Sequence, residues 1–417
     1  MQTLADLKEG KLQGVKSLKL SESLTRFPQE LFSLSETLEI LDMSHNLLTV
    51  IPDLSSFKKL KIAFFSFNKL TVVPSAFRRC DSLYMLGLKG NQMVGFDEDI
   101  LPYSLSWLIL TDNALTHLPR SIGKLTKMRK FPLAGNQLES LPDAMKNCRD
   151  LELIRLSANN LKEVPEWLLT LPKLSWLAFS GNPCSQVNVS EIKEVAYESL
   201  EMSELLGEGA SGEIYKGFDK NSQKEVAVKL FKGAITSDGY AHDEMNAYMS
   251  TGEHPHLISV HAKIEGSKPL GLVLELVPSH YENLGLAPTF ETCTRDTFEV
   301  GKSFDVETIY SVARAMVSAS EHLHARGIMH GDLYAHNILI NMEDGHCYFG
   351  DFGAATFYDK SNPLFEKIEV RAFGCLLEDL LTHCLREESG YEYLVKLAKT
   401  CMAEEVATRP SFSEIVL

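Results

Sequence analysis

The N-terminal half of the chain repeats itself every 22 or 23 residues. Segments 38–46 and 151–159 both follow the template LxxLxLxxN, with Met43 taking the third leucine position of the first segment. The template asparagine recurs along this half, with one serine in its place: Ser23, Asn46, Asn68, Asn91, Asn113, Asn136, Asn159 and Asn182. Because a unit this short cannot bury its own apolar face, eight units must stack into a solenoid with a shared core.

The residue types of the template fit this stacking. Its leucines alternate along a short strand and point into the core. The asparagine can hydrogen-bond the backbone of the following turn, whose polar groups would otherwise be buried unpaired. Prolines at positions 28, 52, 74, 119, 142 and 165 start the return segments. Residues 1–184 resemble the leucine-rich-repeat family. The resemblance implies an α/β solenoid of eight repeats over residues 1–188, with a parallel sheet on its concave side.

The template also predicts which side chains leave the sheet on its concave face. These are apolar in most repeats and include two of the three tryptophans of the chain. An exposed apolar column is typical of a partner-binding surface, because tryptophan is enriched at interface hot spots. The alternative is that other parts of the protein cover the column. The candidate partner-binding residues are Phe64, Met85, Trp107, Ile109, Leu153 and Trp176, and Ile62 lies on the same face.

The charge distribution and the cysteine pattern limit the partners and the compartment that the protein can have. Residues 1–190 carry 22 basic and 19 acidic side chains, whereas residues 191–417 carry 19 and 37. The acidic second half argues against nucleic-acid or anionic-membrane binding through that half. The eight cysteines form no CxxC pair, which is typical of reduced structural thiols. Without a signal-peptide or membrane-span pattern, the expectation is a soluble, cytoplasmic protein with no nucleic-acid partner.

A glycine-rich loop opens the second half. Gly207, Gly209 and Gly212 form GxGxxG, in which glycine lets the backbone approach phosphates closely. Dinucleotide-binding turns share this spacing. Here the strand Val226-Ala-Val-Lys229 follows, where a dinucleotide-binding fold would have a crossover helix. Lys229 needs an acidic partner to hold it, and the helical segment 240–249 offers Glu244, with Asp243 as the second choice.

Two further motifs carry acidic side chains. The segment from His330 to Asn337 reads HGDLYAHN and contains Asp332, and a DFG tripeptide follows at Asp351. The Asp332 carboxylate can orient an acceptor hydroxyl and take its proton, while Asn337 and Asp351 can hold magnesium. A DFG tripeptide alone carries little weight. The ordered set of glycine loop, lysine, glutamate, HxDxxxxN and DFG is specific.

Residues 198–417 therefore resemble the protein kinase family, which implies an α+β bilobal domain that uses ATP and Mg²⁺. The resemblance implies catalytic roles for Lys229, Glu244, Asp332, Asn337 and Asp351. It places the adenine against the backbone of Glu275 and Val277, with Leu274 as gatekeeper. The implied nucleotide site comprises Leu206, Gly207, Gly209, Gly212, Ile214, Ala227, Lys229, Glu275, Val277 and Leu339.

The second half departs from the kinase pattern in three places. Gly331 replaces the arginine that normally reads a phosphorylated activation segment, and no APE motif follows DFG. Only 18 residues separate Asp351 from Glu369, which begins the predicted large helix of the C-terminal lobe. The stretch 381–394 is also short, so the usual helix there is expected to be missing. Arg409 loses its usual glutamate partner.

These departures affect the parts that normally bind peptides and leave the acceptor open. Neither the usual lysine of serine/threonine kinases nor the usual arginine of tyrosine kinases follows the catalytic aspartate, since Tyr334 and His336 take those places. The favoured interpretation is a protein kinase acting on serine or threonine, with the repeats docking a protein substrate or partner. One alternative is a small-molecule kinase resembling aminoglycoside and choline kinases, which share the HGD tripeptide. The other is a repeat scaffold with a weak or regulatory kinase lobe.

Overall fold

The computed structural model describes residues 2–185, 192–209, 211–233, 236, 238–266, 270–385 and 389–417. The chain forms two compact units, Met1–Leu171 and Pro172–Leu417. The second unit therefore begins inside the eighth repeat. The predicted end of the repeat domain, residue 188, lies outside the described residues.

Parallel three-residue strands form the sheet of the first unit, paired in sequence order. The middle residue of each strand is fully buried, as the template predicts, and forms one column through the core: Leu18, Leu41, Ala63, Leu86, Leu108, Phe131 and Ile154. The solenoid fold is thus confirmed. The strands are β1 (Ser17–Lys19), β2 (Ile40–Asp42), β3 (Ile62–Phe64), β4 (Met85–Gly87), β5 (Trp107–Ile109), β6 (Lys130–Pro132) and β7 (Leu153–Arg155).

The template asparagines form a ladder that joins successive repeats. Asn68 is typical: its amide donates to the carbonyl oxygens of Met43 (3.0 Å) and Phe65 (3.1 Å), and its oxygen accepts from the Leu48 N–H (2.9 Å). The same bonds recur, for example, at Asn91. The predicted role of the asparagine in satisfying turn backbone is confirmed.

Short helices follow most of the template prolines. Pro28, Pro74, Pro119, Pro142 and Pro165 each stand in extended conformation directly before a helix. The return segments are therefore mostly short 3₁₀ helices. The α-helices of this unit are α1 (Leu4–Lys8) and α2 (Glu166–Leu169), and its 3₁₀ helices are Gln29–Leu34, Ser75–Phe77, Arg120–Lys124 and Asp143–Asn147.

The exposed apolar column predicted for the strand face is not observed. Met85, Trp107 and Leu153 are buried, and Phe64 and Ile109 are half-buried. The Lys130 ammonium lies 4.3 Å from the centre of the Trp107 ring. Long side chains of neighbouring strands can cover an aromatic face in this way, which strand periodicity alone does not reveal.

A six-stranded sheet forms the first part of the second unit. Its order is β10-β11-β12-β14-β13-β9, antiparallel except where β9 pairs with β13. One helix, α3 (Ala241–Met249), follows β12. The unit also contains β8 (Trp176–Ala178), the strand of the eighth repeat. The sheet comprises β9 (Glu194–Val195), β10 (Leu200–Glu208), β11 (Gly212–Asp219), β12 (Lys224–Phe231), β13 (Val260–Ile264) and β14 (Gly271–Leu274).

The rest of the second unit is mainly helical, which agrees with the predicted α+β bilobal domain. Helix α5 begins at Leu364, five residues before the predicted start at Glu369. No described helix is both long and apolar enough to cross a membrane. The α-helices are α4 (Val306–Ala325), α5 (Leu364–Thr382) and α6 (Tyr391–Cys401). The strands are β15 (Glu282–Asn283), β16 (Ile328–Met329), β17 (Ile338–Ile340), β18 (Cys347–Phe349) and β19 (Thr356–Phe357). The 3₁₀ helices are Tyr197–Ser199, Ala335–Asn337, Val406–Thr408 and Phe412–Glu414.

Candidate active site

A cleft of about 520 Å³ in the second unit is lined by residues of β10, β11, β12, β14 and β17. All ten residues predicted from the sequence to surround a nucleotide line this cleft, together with the gatekeeper Leu274 and with Asp351. The sequence did not single out five further lining residues, since no motif marks them: Tyr248, Ile258, Ser279, Tyr281 and Asn283.

The glycine loop connects β10 to β11. The Gly209 N–H donates to the Gly212 carbonyl oxygen (2.9 Å), which closes the hairpin. A Cβ at Gly212 would lie 2.3 Å from the Leu230 carbonyl oxygen, so a side chain is excluded there. At Gly207 and Gly209 no described atom lies within 4 Å of the Cβ position. These two glycines thus leave space beside the backbone for a ligand.

Lys229 on β12 forms an ion pair with Glu244 on α3, and both side chains are buried. The partner is Glu244, the first choice from the sequence. The Lys229 ammonium also lies 3.9 Å from the Asp351 carboxylate. Burial opposes the charge on Lys229, but the neighbouring Glu244 carboxylate raises the pKa of the ammonium above its ordinary value. A cation is therefore held at the inner end of the cleft.

Glu369 on α5 contacts the start of the segment His330–Asn337, which we call the catalytic loop. Its buried carboxylate accepts hydrogen bonds from the backbone N–H groups of Gly331 (2.7 Å) and His330 (3.2 Å), and it lies 2.7 Å from the His324 ring. Burial raises the pKa of Glu369, but the His324 hydrogen bond and the adjacent charges outweigh it and lower the pKa overall. The carboxylate thus fixes the backbone just before Asp332. The sequence predicts Glu369 only as the first residue of a helix and does not indicate this contact.

Asp332 and Asn337 contact each other, and the Gly350 N–H, next to Asp351, donates to the Asn337 carbonyl oxygen (3.1 Å). The Asn337 amide donates to the Asp332 carbonyl (2.9 Å) and carboxylate (3.3 Å) oxygens. Asp351 has a left-handed backbone, with φ of 56°, and a half-exposed side chain. The next residue, Phe352, is buried against Tyr248 of α3. The structure thus brings Lys229, Glu244 and Asp351 together at the cleft, and it brings Asp332 together with Asn337, which contacts the residue before Asp351.

The structure explains why position 331 holds glycine in place of the expected arginine. Its φ is 74°, and a Cβ there would lie 2.6 Å from the Leu177 carbonyl oxygen and 2.8 Å from that of Ala354. The strand of the eighth repeat therefore passes so close to the catalytic loop that only glycine fits. Arg409, which lacks its usual glutamate, is buried and donates instead to three carbonyl oxygens, those of Ala403, Lys367 and Pro172.

Trp176 does not belong to an exposed binding surface, contrary to expectation. It is 1% exposed, and its ring stacks on Tyr334 with 4.4 Å between ring centres. The indole N–H donates to the Leu333 carbonyl oxygen (3.2 Å). Because these partners are more than 150 residues away in sequence, the repeat template could not place Trp176 beside the catalytic loop.

His336 is paired with a buried aspartate that the sequence did not single out. The ring Nδ1–H donates to the Asp296 carboxylate (2.7 Å), which also accepts from the His336 backbone N–H (3.2 Å). Burial lowers the pKa of His336, but the hydrogen bond to Asp296 and the charges of Asp296, Asp332 and Asp351 raise it above its ordinary value. The contact with Asp296 therefore favours the protonated form of the His336 ring.

This pair predicts a pH-dependent stability. A raised pKa of His336 stabilises the folded state fully below the unfolded-state pKa of about 6.5, and the effect is lost as pH rises through the folded-state pKa. The substitution Asp296→Asn should lower the free energy of unfolding by roughly 1.5–3 kcal/mol at pH 6 and by less at pH 9. Urea unfolding at several pH values measures this. In a His336→Gln background the pH dependence of the difference should vanish. A difference that is constant from pH 6 to 9 would contradict the assignment.

Comparison with known proteins agrees with this geometry. Residues 200–375 match the protein kinase domain family. The "Negative regulator of sexual conjugation and meiosis" of Schizosaccharomyces pombe is 28% identical over 170 residues, which cover 39% of this chain and 33% of that protein. The serine/threonine-protein kinase AtPK2/AtPK19 of Arabidopsis thaliana is 28% identical over 190 residues, covering 44% and 37%. The chain thus spans about a third of the length of these relatives.

Among solved structures, an LRR protein of Leptospira interrogans has a TM-score of 0.37 and 22% identity, covering 44% of this chain and 53% of that one. The parallel strands and the asparagine ladder of the first unit carry the repeat assignment. The chain therefore combines a leucine-rich-repeat solenoid with a region, residues 200–375, that matches the protein kinase domain family.

Proposed function

We propose that this chain is an ATP- and magnesium-dependent protein kinase that phosphorylates serine or threonine hydroxyls. The Lys229–Glu244 ion pair beside Asp351 carries the proposal. Phosphoryl transfer requires this pair and the metal-binding aspartate to be in place together. The catalytic loop supports the same conclusion, because its Asp332 carboxylate accepts from the Asn337 amide and the loop leads directly to Leu339 of the cleft.

The Asp351 and Asn337 side chains suit a magnesium ion. Mg²⁺ prefers oxygen ligands and is usually held by one or two protein side chains together with substrate phosphates. The half-exposed Asp351 carboxylate supplies such a ligand. Asn337 uses its amide nitrogen on Asp332, which leaves its side-chain oxygen for a metal. When bound, the metal would neutralise charge on the phosphates.

The residues of the chain then have separate roles. Lys229 would hold the α- and β-phosphates, and the backbone of Glu275 and Val277 would receive the adenine. The acceptor oxygen forms a bond to the γ-phosphorus while the bond to the ADP oxygen breaks, and Asp332 accepts the hydroxyl proton. The buried Glu369 keeps the Asp332 backbone in place during this transfer.

The test is an assay of the full chain with radiolabelled ATP, run in parallel for autophosphorylation, for a panel of proteins and for a panel of small molecules. The proposal predicts label on protein serine or threonine. Label on small molecules alone would favour the alternative drawn from the HGD tripeptide and the short segment after Asp351. ATP binding without label in any arm would indicate a scaffold with a regulatory lobe.

We also propose that the repeats dock a protein substrate or partner. The lobe has only a short segment between Asp351 and Leu364 to grip a peptide, so binding energy must come from elsewhere. Tethering on the solenoid would raise the effective concentration of acceptor near Asp332. On the strand face, Phe64 and Ile109 are the partner-binding candidates that are only half-buried.

Docking on this face predicts an effect on acceptor binding alone. The double substitution Phe64→Ala, Ile109→Ala should raise KM for a protein acceptor about tenfold and leave KM for ATP unchanged, because these residues do not line the cleft. The matched control is Val50→Ala, an exposed apolar residue of the same unit. Steady-state kinetics with varied acceptor measures both constants. An unchanged KM for every protein acceptor would rule out docking through this pair.

The cytoplasm is the compartment that we propose. Burial raises the pKa of the thiols of Cys80, Cys148, Cys347 and Cys401 to about 12, so these cysteines are protonated packing residues. Reduced structural thiols of this kind suit a reducing compartment. The acidic second half also supports the absence of a nucleic-acid partner.

A further inference from the structure

The eighth repeat contributes directly to the catalytic loop of the second unit. Trp176 stacks nearly parallel on Tyr334, with 6° between the ring planes, and its indole N–H donates to the Leu333 carbonyl oxygen. Leu333 and Tyr334 are the two residues that follow Asp332. Trp176 therefore contacts the loop just after Asp332. Glu369 contacts it just before Asp332, at His330 and Gly331.

The same repeat also holds the short segment after Asp351. The Phe179 N–H donates to the Thr356 hydroxyl (3.1 Å), and the Phe179 ring stacks on Phe365 with 5.3 Å between ring centres. Thr356 is fully buried. Arg371 of α5 donates to the Ser175 hydroxyl (2.5 Å). The repeat strand thus contacts the catalytic loop, the following segment and the large helix at once.

A segment this short has little means of ordering itself. Gly331 supplies no cation for a phosphate, and Tyr358, one of three hydroxyl residues between Asp351 and Leu364, donates to or accepts from the buried His324 ring (2.7 Å). Ser361 alone of the three is exposed. Phosphorylation of the two buried hydroxyls would require their contacts to break. A permanent contact from the repeat is an alternative way to order these parts.

We propose that Trp176 is a positioning residue for Asp332, and that the eighth repeat is a built-in part of the catalytic lobe that orders its loop without phosphorylation. This inference rests on the proposed kinase function. Trp176 does not line the nucleotide cleft, and it contacts the loop at Leu333 and Tyr334. Its effect is on the placement of the carboxylate, and misplacing a catalytic group by about 1 Å can cost about 100-fold in rate.

The test compares full-chain variants for turnover, MgATP affinity and melting temperature. The probes are radiolabelled ATP with autophosphorylation and with dephosphorylated casein as a general acceptor. Trp176→Ala should lower kcat roughly 10–100-fold with MgATP affinity within about twofold of wild type. Trp176→Phe keeps a ring on Tyr334 and should recover most of the lost kcat. Trp167→Ala, a half-buried tryptophan of α2, is the matched control and should have wild-type kcat.

A second variant distinguishes loss of the ring stack from misfolding of the repeat. Tyr334→Val removes the same stack from the loop side, with the repeat sequence intact, and should lower kcat by a similar factor. Wild-type kcat in Trp176→Ala or in Tyr334→Val would overturn the inference. Parallel loss of kcat and MgATP affinity in both would also overturn it, since that result indicates a purely structural role. If wild type itself labels no acceptor, the proposed function fails; if wild type is active and the variants match it, only the inference fails.

Discussion

Asp332→Asn is expected to lower turnover by about 10³-fold while leaving MgATP affinity nearly unchanged. The asparagine keeps the size of the side chain and can still contact Asn337, but it cannot accept the acceptor proton. Asp332 is not among the residues that line the nucleotide cleft, so ATP binding should survive. The effect would therefore appear in kcat and not in KM for ATP.

Single-turnover transfer and nucleotide titration separate the two quantities. Asp351→Ala provides the contrast, because this carboxylate lines the cleft and is the proposed metal ligand, so both transfer and magnesium-dependent ATP binding should be lost. Glu343→Gln, an exposed acidic residue between β17 and β18, should behave as wild type. Full turnover in Asp332→Asn would refute its assignment as the base.

The features that the sequence predicted are those with local patterns. The solenoid follows from a period of 22 or 23 residues, because each strand, asparagine and proline recurs in the same environment. The cleft follows from short motifs in order, and Lys229 contacts Glu244 as expected because the two residues are only 15 apart in sequence. In both cases the chemistry of each residue type at its position limits the possible structures.

The features that were missed depend on contacts between distant segments. The Arg409 guanidinium donates to the Pro172 carbonyl oxygen, which is 237 residues away in sequence. The Trp176 indole donates to the carbonyl oxygen of Leu333, which is 157 residues away. Periodicity tells which face of a strand a tryptophan occupies, but not what packs on that face. The sequence shows only that Gly331 replaces the usual arginine. The structure shows that a side chain at this position would overlap the neighbouring strand.

Because position 331 requires glycine, restoring the usual arginine should be strongly unfavourable. We expect Gly331→Arg to destabilise the second unit by roughly 3–5 kcal/mol and to abolish phosphoryl transfer. Two costs add. A residue with a Cβ pays about 1–2 kcal/mol for a left-handed backbone such as the φ of 74° here. The remainder comes from overlap of the Cβ with the carbonyl oxygens of Leu177 and Ala354, which are backbone atoms and cannot rotate away.

Gly301 offers a control for the first cost alone. Its φ is 85°, and no described atom lies within 4 Å of its Cβ position. Gly301→Ala should therefore lose only about 1–2 kcal/mol, whereas Gly331→Ala should lose clearly more because the overlap is already present with the first side-chain carbon. Thermal unfolding of the full chain measures both, with a fall of about 10 °C expected for Gly331→Arg. Equal losses for the two alanine variants would show that the repeat strand does not restrict position 331. An active, stable Gly331→Arg protein would mean that the strand of the eighth repeat can leave the catalytic loop without cost.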